Sequence, residues 1–199
     1  MKKNVLLLLV SLPTYTHATT KITAVLGDIT AQSVAVLVNA ANPQLAAGNG
    51  VCGAIFKAAG LAQLQKACNQ YPLIQGVRCP VGSACITDSF NLKKIGVQKI
   101  VHAVGPDARI IKDQQKQRTL LISAYTRSLE IATAQKYTTI AFPFISSGIY
   151  AVDHQLAATA AITAARDFIA ENKTTLNEIR FVLYYQDDYD LFQKLLNDN

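Results

Sequence analysis

Short apolar runs alternate with longer stretches of helical spacing over most of the chain. Residues 34–38 (VAVLV) and 139–144 (TIAFPF) are continuous apolar runs, as strands covered on both faces read. Residues 21–26 (KITAVL), 84–87 (ACIT), 99–104 (KIVHAV) and 179–185 (IRFVLYY) have strand length and are rich in β-branched or aromatic residues. Residues 114–135 place Leu120, Leu121, Ala124, Leu129 and Ala132 at helical spacing and predict a long amphipathic helix. Helices are also predicted over 51–59 and 61–69, separated by Gly60, over the Ala-rich 153–171 with Asp153 as N-cap, and over 189–196. Strands alternating with helices predict an α/β domain, a mostly parallel sheet with helices on both faces. No repeat, linker or low-complexity stretch interrupts the pattern, so one domain is expected.

The first 18 residues stand apart from this pattern. Lys2 and Lys3 form a positive start, 4–13 (NVLLLLVSLP) is a short apolar core, and the next five residues end in the small Ala18. A membrane span needs about 20 apolar residues, roughly twice this run. Residues 1–18 therefore read as a signal peptide cut near Ala18, and 19–199 as the mature domain. Export to a periplasm or the medium follows, with no membrane attachment after cleavage. A buried N-terminal strand is the alternative.

Composition narrows the partners. Of the 199 residues 50% are hydrophobic and 16% charged, with a mean hydropathy of +0.19, which excludes a disordered tail, a collagen-like fibre and a coiled coil. Lys and Arg number 19 against 13 Asp and Glu; without Lys2 and Lys3 the balance is 17 against 13, or +4. The densest basic pair beyond the leader is Lys93-Lys94, so no specific nucleic-acid partner is expected, whereas one small anionic ligand is compatible. Cys52, Cys68, Cys79 and Cys85 include no CxxC pair, and His102 and His154 add no zinc-like spacing. No metal site is expected. Buried free thiols are the favoured state, and one or two disulfides the alternative.

In open parallel sheets, ligands bind beyond the carboxyl ends of the strands. The second strand runs into Asn39-Ala40-Ala41-Asn42 and then Gly48-Asn49-Gly50-Val51-Cys52-Gly53. The fifth runs into Ile145-Ser146-Ser147-Gly148-Ile149-Tyr150. Glycine-rich backbone at a helix N-terminus offers N–H groups to phosphate oxygens, and two such loops could hold a pyrophosphate between them. Gly27-Asp28-Ile29-Thr30 after the first strand adds a carboxylate able to accept from an exocyclic amine such as that of adenine. There is no Walker lysine and no GxGxxG, so NTPase and nicotinamide readings lack their motifs. His102 lies in an apolar run and reads as a satisfied core histidine, and His154 as a solvated first-turn residue.

Five segments in register carry a resemblance: Gly27 to Thr30, Val38 to Asn42, Gly50 to Ile55, Val101 to Pro106 and Phe142 to Tyr150. Together they resemble the macro domain, the ADP-ribose-binding fold, over nearly the whole mature chain, and within it the MacroD class. The resemblance implies a three-layer α/β/α sandwich with a mixed, mostly parallel sheet, no cofactor, and a monomer whose partner is ADP-ribose or an ADP-ribosylated protein. It implies Asp28 on the adenine amine with the Ile29 N–H beside it, and Asn42 on the distal ribose. Gly48, Gly50 and Val51 would form the first phosphate and ribose loop, and Ser147, Gly148, Ile149 and Tyr150 the second. Tyr184, or Tyr185 one residue on, would set its ring against adenine. The plain alternatives are a helix cap for Asp28, a turn residue for Asn42 and a core-edge tyrosine for Tyr184.

Departures bear on catalysis. Many hydrolytic members carry an aspartate, able to act as general base on water, where this chain has Cys52. A thiol does not replace it at neutral pH unless its pKa is lowered. Cys52 opens a helix, which leaves a covalent role open beside that of a small space-filler. Asn49 interrupts the glycine run, where a left-handed backbone would suit Asn better than other side chains. Ala47 and Ala151 replace residues that are often His or Gly. Two functions follow: a hydrolase of mono-ADP-ribosyl esters or O-acetyl-ADP-ribose, with Asn42 and Cys52 as the candidate catalytic residues, or a non-catalytic ADP-ribose reader.

Overall fold

The computed structural model describes residues 20–171 and 174–198; the expected leader lies outside them. Six strands form one sheet: β1 (Lys21–Leu26), β2 (Val36–Ala40), β3 (Ala84–Asp88), β4 (Lys99–Ala103), β5 (Thr139–Phe142) and β6 (Glu178–Leu183). Their order is β1-β6-β5-β2-β4-β3, parallel throughout except for β3, which runs antiparallel to β4. Five helices join them: α1 (Gly50–Ala59), α2 (Leu61–Cys68), α3 (Gln114–Ala134), α4 (His154–Glu171) and α5 (Gln186–Asn197). Among the described residues, no helix is long and apolar enough to cross a membrane.

Strand side chains alternate between two faces, and both faces are covered. Val36, Val38, Val101, Ile140, Phe142 and Phe181 pack with α3, α4 and α5. Leu37, Ile100, Ala141 and Val182 pack with Ile55, Phe56 and Leu64 from α1 and α2. This is the expected three-layer sandwich. In the larger core, Tyr125, Phe142, Phe181 and Phe192 meet ring to ring at 5.1–6.0 Å. Each buried ring contributes about 1.5–3 kcal/mol.

Element ends moved for local reasons. Residue 35 stays outside β2 because its N–H is taken by Thr139 Oγ1 at 2.8 Å. Strand β5 stops at Phe142 because Pro143 has no N–H for a ladder. Helix α5 starts at Gln186 rather than 189 because Asp187 and Asp188 favour the positive end of its dipole, while apolar spacing begins only later. Two short 3-10 turns, Ile29–Ala31 and Phe90–Ile95, have no periodic signature in the sequence. Asp153 caps α4 as expected, accepting from Leu156 N–H at 2.8 Å. All four cysteines are free thiols, and Cys85 alone of them is only half-buried.

His102 is a core histidine, as its apolar strand suggested, and it is fully satisfied. Asn39 Nδ2 donates to its Nδ1 at 3.1 Å, and its Nε2–H reaches Thr87 Oγ1 at 2.9 Å, which in turn donates to the Asp88 carbonyl at 3.1 Å. Burial holds the imidazole neutral, with its pKa lowered from 6.5 to about 4. The unfolded chain therefore binds one more proton than the folded chain between those values, and stability falls as pH drops below 6.5. Urea melts should lose about 3 kcal/mol between pH 6.5 and 4. His102→Leu should remove that part of the slope, and an unchanged slope would contradict the assignment.

Candidate functional site

The connections out of β2 lead toward β4 and β3, whereas the crossover from β5 leads toward β6 and β1. The crevice between β2 and β5 is thus the point where the winding of the sheet reverses, the usual ligand site of such sheets. The two strands pair through only Val36↔Ile140 and Leu37↔Ala141. Beyond that pair β2 stays with β4 up to Ala40↔Ala103 while β5 ends against β6 at Phe142↔Phe181. A cleft of about 590 Å³ opens across the carboxyl ends of β1, β6, β5 and β2.

Every candidate site residue from the sequence lines this cleft. Over β1, Asp28 caps the first 3-10 turn, its Oδ1 accepting from Thr30 N–H and Thr30 Oγ1, both at 2.8 Å. Both bonds fall on one oxygen, so capping leaves Oδ2 without a protein partner among the described residues. The plain and functional readings of Asp28 are compatible. Ile29 follows, its side chain buried and its position at the start of the turn leaving its N–H outside the turn's own bonds. Over β6, Tyr184 and Tyr185 are 71% and 67% exposed and meet edge to face at 5.3 Å. Both rings line the cleft.

The loop over β2 is built by Asn42 and two glycines. Asn42 Nδ2 donates to the Ala46 carbonyl at 2.8 Å and Oδ1 accepts from Ala46 N–H at 3.0 Å. This closed ring fixes the amide beside Gly48 and Cys52, from which a second Nδ2–H remains to donate. The left-handed residue in the glycine run is Gly50 (φ 59°), whereas Asn49 is extended (φ −97°) and sits as N-cap of α1 without a side-chain capping bond. Asn49 therefore meets no strain here, contrary to the expectation of a left-handed turn at that residue. A Cβ on Gly53 would run into the Gly48 carbonyl, so the first turn of α1 packs directly on the loop.

Cys52 lies in that first turn with its side chain buried. Asn39 Nδ2 approaches Sγ at 3.7 Å, and Sγ faces the Ala46 carbonyl at 3.8 Å. Burial outweighs the hydrogen bonds from Asn39 and Gly48 and pushes the thiol pKa up from its ordinary value. A thiol raised above its ordinary value is protonated at neutral pH.

The loop over β5 is held from three sides. Tyr125 Oη of α3 accepts from Ile145 N–H at 3.2 Å, Ala108 N–H donates to the Tyr150 carbonyl at 2.8 Å, and Arg109 stands over the Tyr150 ring at 5.9 Å. Ser146 and Ala151 take left-handed φ of 66° and 51° at its two ends, each a strain of about 1–2 kcal/mol. Ser146 Oγ is buried without a protein partner. The β5 loop thus carries two residues in a strained backbone region and one orphaned hydroxyl. Gly105, at the end of β4, has no room for a Cβ against Ser146 Oγ. Asp188 and Phe144 also line the cleft. Sequence reasoning missed both, although the acidic start of α5 was visible in the order of residues.

Comparison with known proteins agrees with this geometry. The family model of the Macro domain matches residues 38–161. A macro domain-containing protein of Listeria monocytogenes is 43% identical over 179 residues, covering 89% of this chain and 97% of that protein. The O-acetyl-ADP-ribose deacetylase of Escherichia coli K12 is 41% identical over 177 residues, 89% of this chain and 96% of that one. The solved structure of the Oceanobacillus iheyensis macrodomain with ADP superposes with a TM-score of 0.80 at 34% identity, covering 89% and 90% of the two chains. The chain belongs to the macro domain family.

Proposed function

We propose that this macro domain binds ADP-ribose in the cleft and hydrolyses O-acetyl-ADP-ribose, or mono-ADP-ribosyl esters of protein carboxylates, by attack of water at the distal ribose. The observation that carries the reading is the pair of helix-leading loops on the neighbouring strands β2 and β5, whose glycine-rich backbones line one cleft. The strand order supports one arrangement of the ligand in this reading. Asp28 and the tyrosine pair over β1 and β6 take adenine, the β5 loop takes the diphosphate, and Asn42 with the Gly48 to Val51 backbone takes the distal ribose.

Water attack needs an oriented nucleophile and donors for the developing oxyanion. The two carboxylates lining the cleft, Asp28 and Asp188, belong to the loop after β1 and to α5, not to the β2 loop. Among the described residues that line the cleft, the β2 loop contributes no carboxylate, and the raised pKa of Cys52 argues against a thiolate as base or nucleophile. Water is held instead between the second Nδ2–H of Asn42 and a phosphate oxygen of the substrate. It attacks the ester carbonyl carried on the distal ribose and gives its proton to that phosphate oxygen, and backbone N–H groups of the β2 loop meet the oxyanion. Collapse breaks the carbonyl bond to the ribose oxygen, which takes the proton and leaves as a hydroxyl.

Cys52 also favours a second reading, a domain that binds ADP-ribose without turnover. The two are separated by calorimetry with ADP-ribose and by release of acetate from O-acetyl-ADP-ribose. The hydrolase requires saturable binding and turnover, with Asn42→Ala lowering turnover about a hundredfold. Binding without turnover, restored by Cys52→Asp, identifies the reader, and no binding at all would sink both.

The leader-like residues 1–18 add a proposal about place: the domain acts after export. N-terminal sequencing of the protein isolated from its native cells should begin at Thr19. An intact Met1 on a cytoplasmic product would refute it.

A further inference from the structure

His154 is the solvated first-turn residue the sequence presents, its side chain 52% exposed, and its ring is nevertheless bonded on both sides. Its Nδ1 lies 2.7 Å from Asp188 Oδ1, and its Nε2 lies 3.2 Å from the Ser147 carbonyl oxygen. A carboxylate and a carbonyl only accept, and a neutral imidazole carries one N–H. Both bonds exist together only when the ring is an imidazolium. The Phe144 ring meets it edge to face at 5.2 Å and fixes its plane.

The position is an unusual one for a cation. His154 opens α4, where the helix dipole disfavours positive charge, so the arrangement does not serve the helix. Its ionic partner is Asp188 of α5, which is 7% exposed and lines the cleft. On its own element Asp153 is turned to cap Leu156 N–H, and the β5 loop presents to it the Ser147 carbonyl and the Phe144 ring.

The consequence lies one atom further along the chain. The described residues contain no cis peptide, and in a trans peptide the carbonyl of one residue points opposite to the N–H of the next. Anchoring the Ser147 carbonyl on His154, which is outside the cleft lining, turns the Gly148 N–H the other way, and Gly148 lines the cleft. We propose that His154 is a positioning residue. Its ring clamps the Ser147 carbonyl to Asp188 and holds the Gly148 N–H toward a bound diphosphate. The proposal rests on the ADP-ribose reading of the cleft.

Calorimetry with ADP-ribose and the full chain tests it. His154→Ala should bind about fivefold to tenfold more weakly than wild type, and His154→Arg, whose fork of donors can reach both partners, should restore tight binding. Asp188→Asn discriminates a clamp from mere attraction. Removing an anion from the cleft would tighten binding if only charge mattered, whereas loss of the bond to His154 should weaken it. Wild-type affinity in His154→Ala, weak binding in a folded His154→Arg, or tighter binding by Asp188→Asn would overturn the clamp. Absence of ADP-ribose binding by folded wild-type protein would instead remove the ADP-ribose reading, and the clamp with it.

Discussion

The chemistry of this protein depends on a fork. Strands β2 and β5 lie side by side in the middle of the sheet but share only two pairs of residues before they part. Parallel pairing forces both to deliver their following loops to the same edge, and the reversal of winding between them sends the two crossovers apart. What is left at the fork is a gap walled by backbone. Two helix N-terminal loops fill its rim, and their N–H groups have no strand to pair with.

The surrounding packing serves to keep that rim in place. Tyr125 reaches from α3 to the first residues after β5, Ala108 holds the far end of the same loop, and Gly105 is small enough to let Ser146 pass. On the other side, Asn42 closes its own loop while Gly53 brings α1 against it. Left-handed Ser146 and Ala151 show that the β5 loop is held in a shape its residues do not prefer. The buried aromatic cluster beneath, and the Asn39–His102–Thr87 network, make that strain tolerable by fixing both faces of the sheet.

Much of this was legible in the order of residues, and what was not has physical reasons. Continuous apolar strands announced a sheet buried on both faces, and the glycine-containing loops after β2 and β5 announced the segments that line the cleft. The resemblance implied a mixed sheet, but the residues did not say that β3 is the antiparallel strand, because a single strand carries no signal of direction. Asn49 misled because the side-chain sequence does not show which residue of Gly48-Asn49-Gly50 turns left-handed; the first turn of α1 assigns that to Gly50. The role of His154 was hidden for a different reason. Its partners, Ser147 and Asp188, are 7 and 34 residues away in sequence, and only the packing of α5 beside the β5 loop brings them together. Cys52 was visible as a departure, but its protonation state follows from burial, which a lone position in a sequence does not reveal.

The central claim is that one ligand lies across the carboxyl ends of β1, β6, β5 and β2, with its diphosphate on backbone N–H groups. Amide-resolved NMR of labelled protein titrated with ADP-ribose tests this most directly. The largest shifts should fall on Asp28 and Ile29, on Gly48 to Cys52 and on Ser147 to Tyr150, with the β3 edge of the sheet silent. Shifts that leave either glycine loop untouched, or that gather at the β3 edge, would contradict the account.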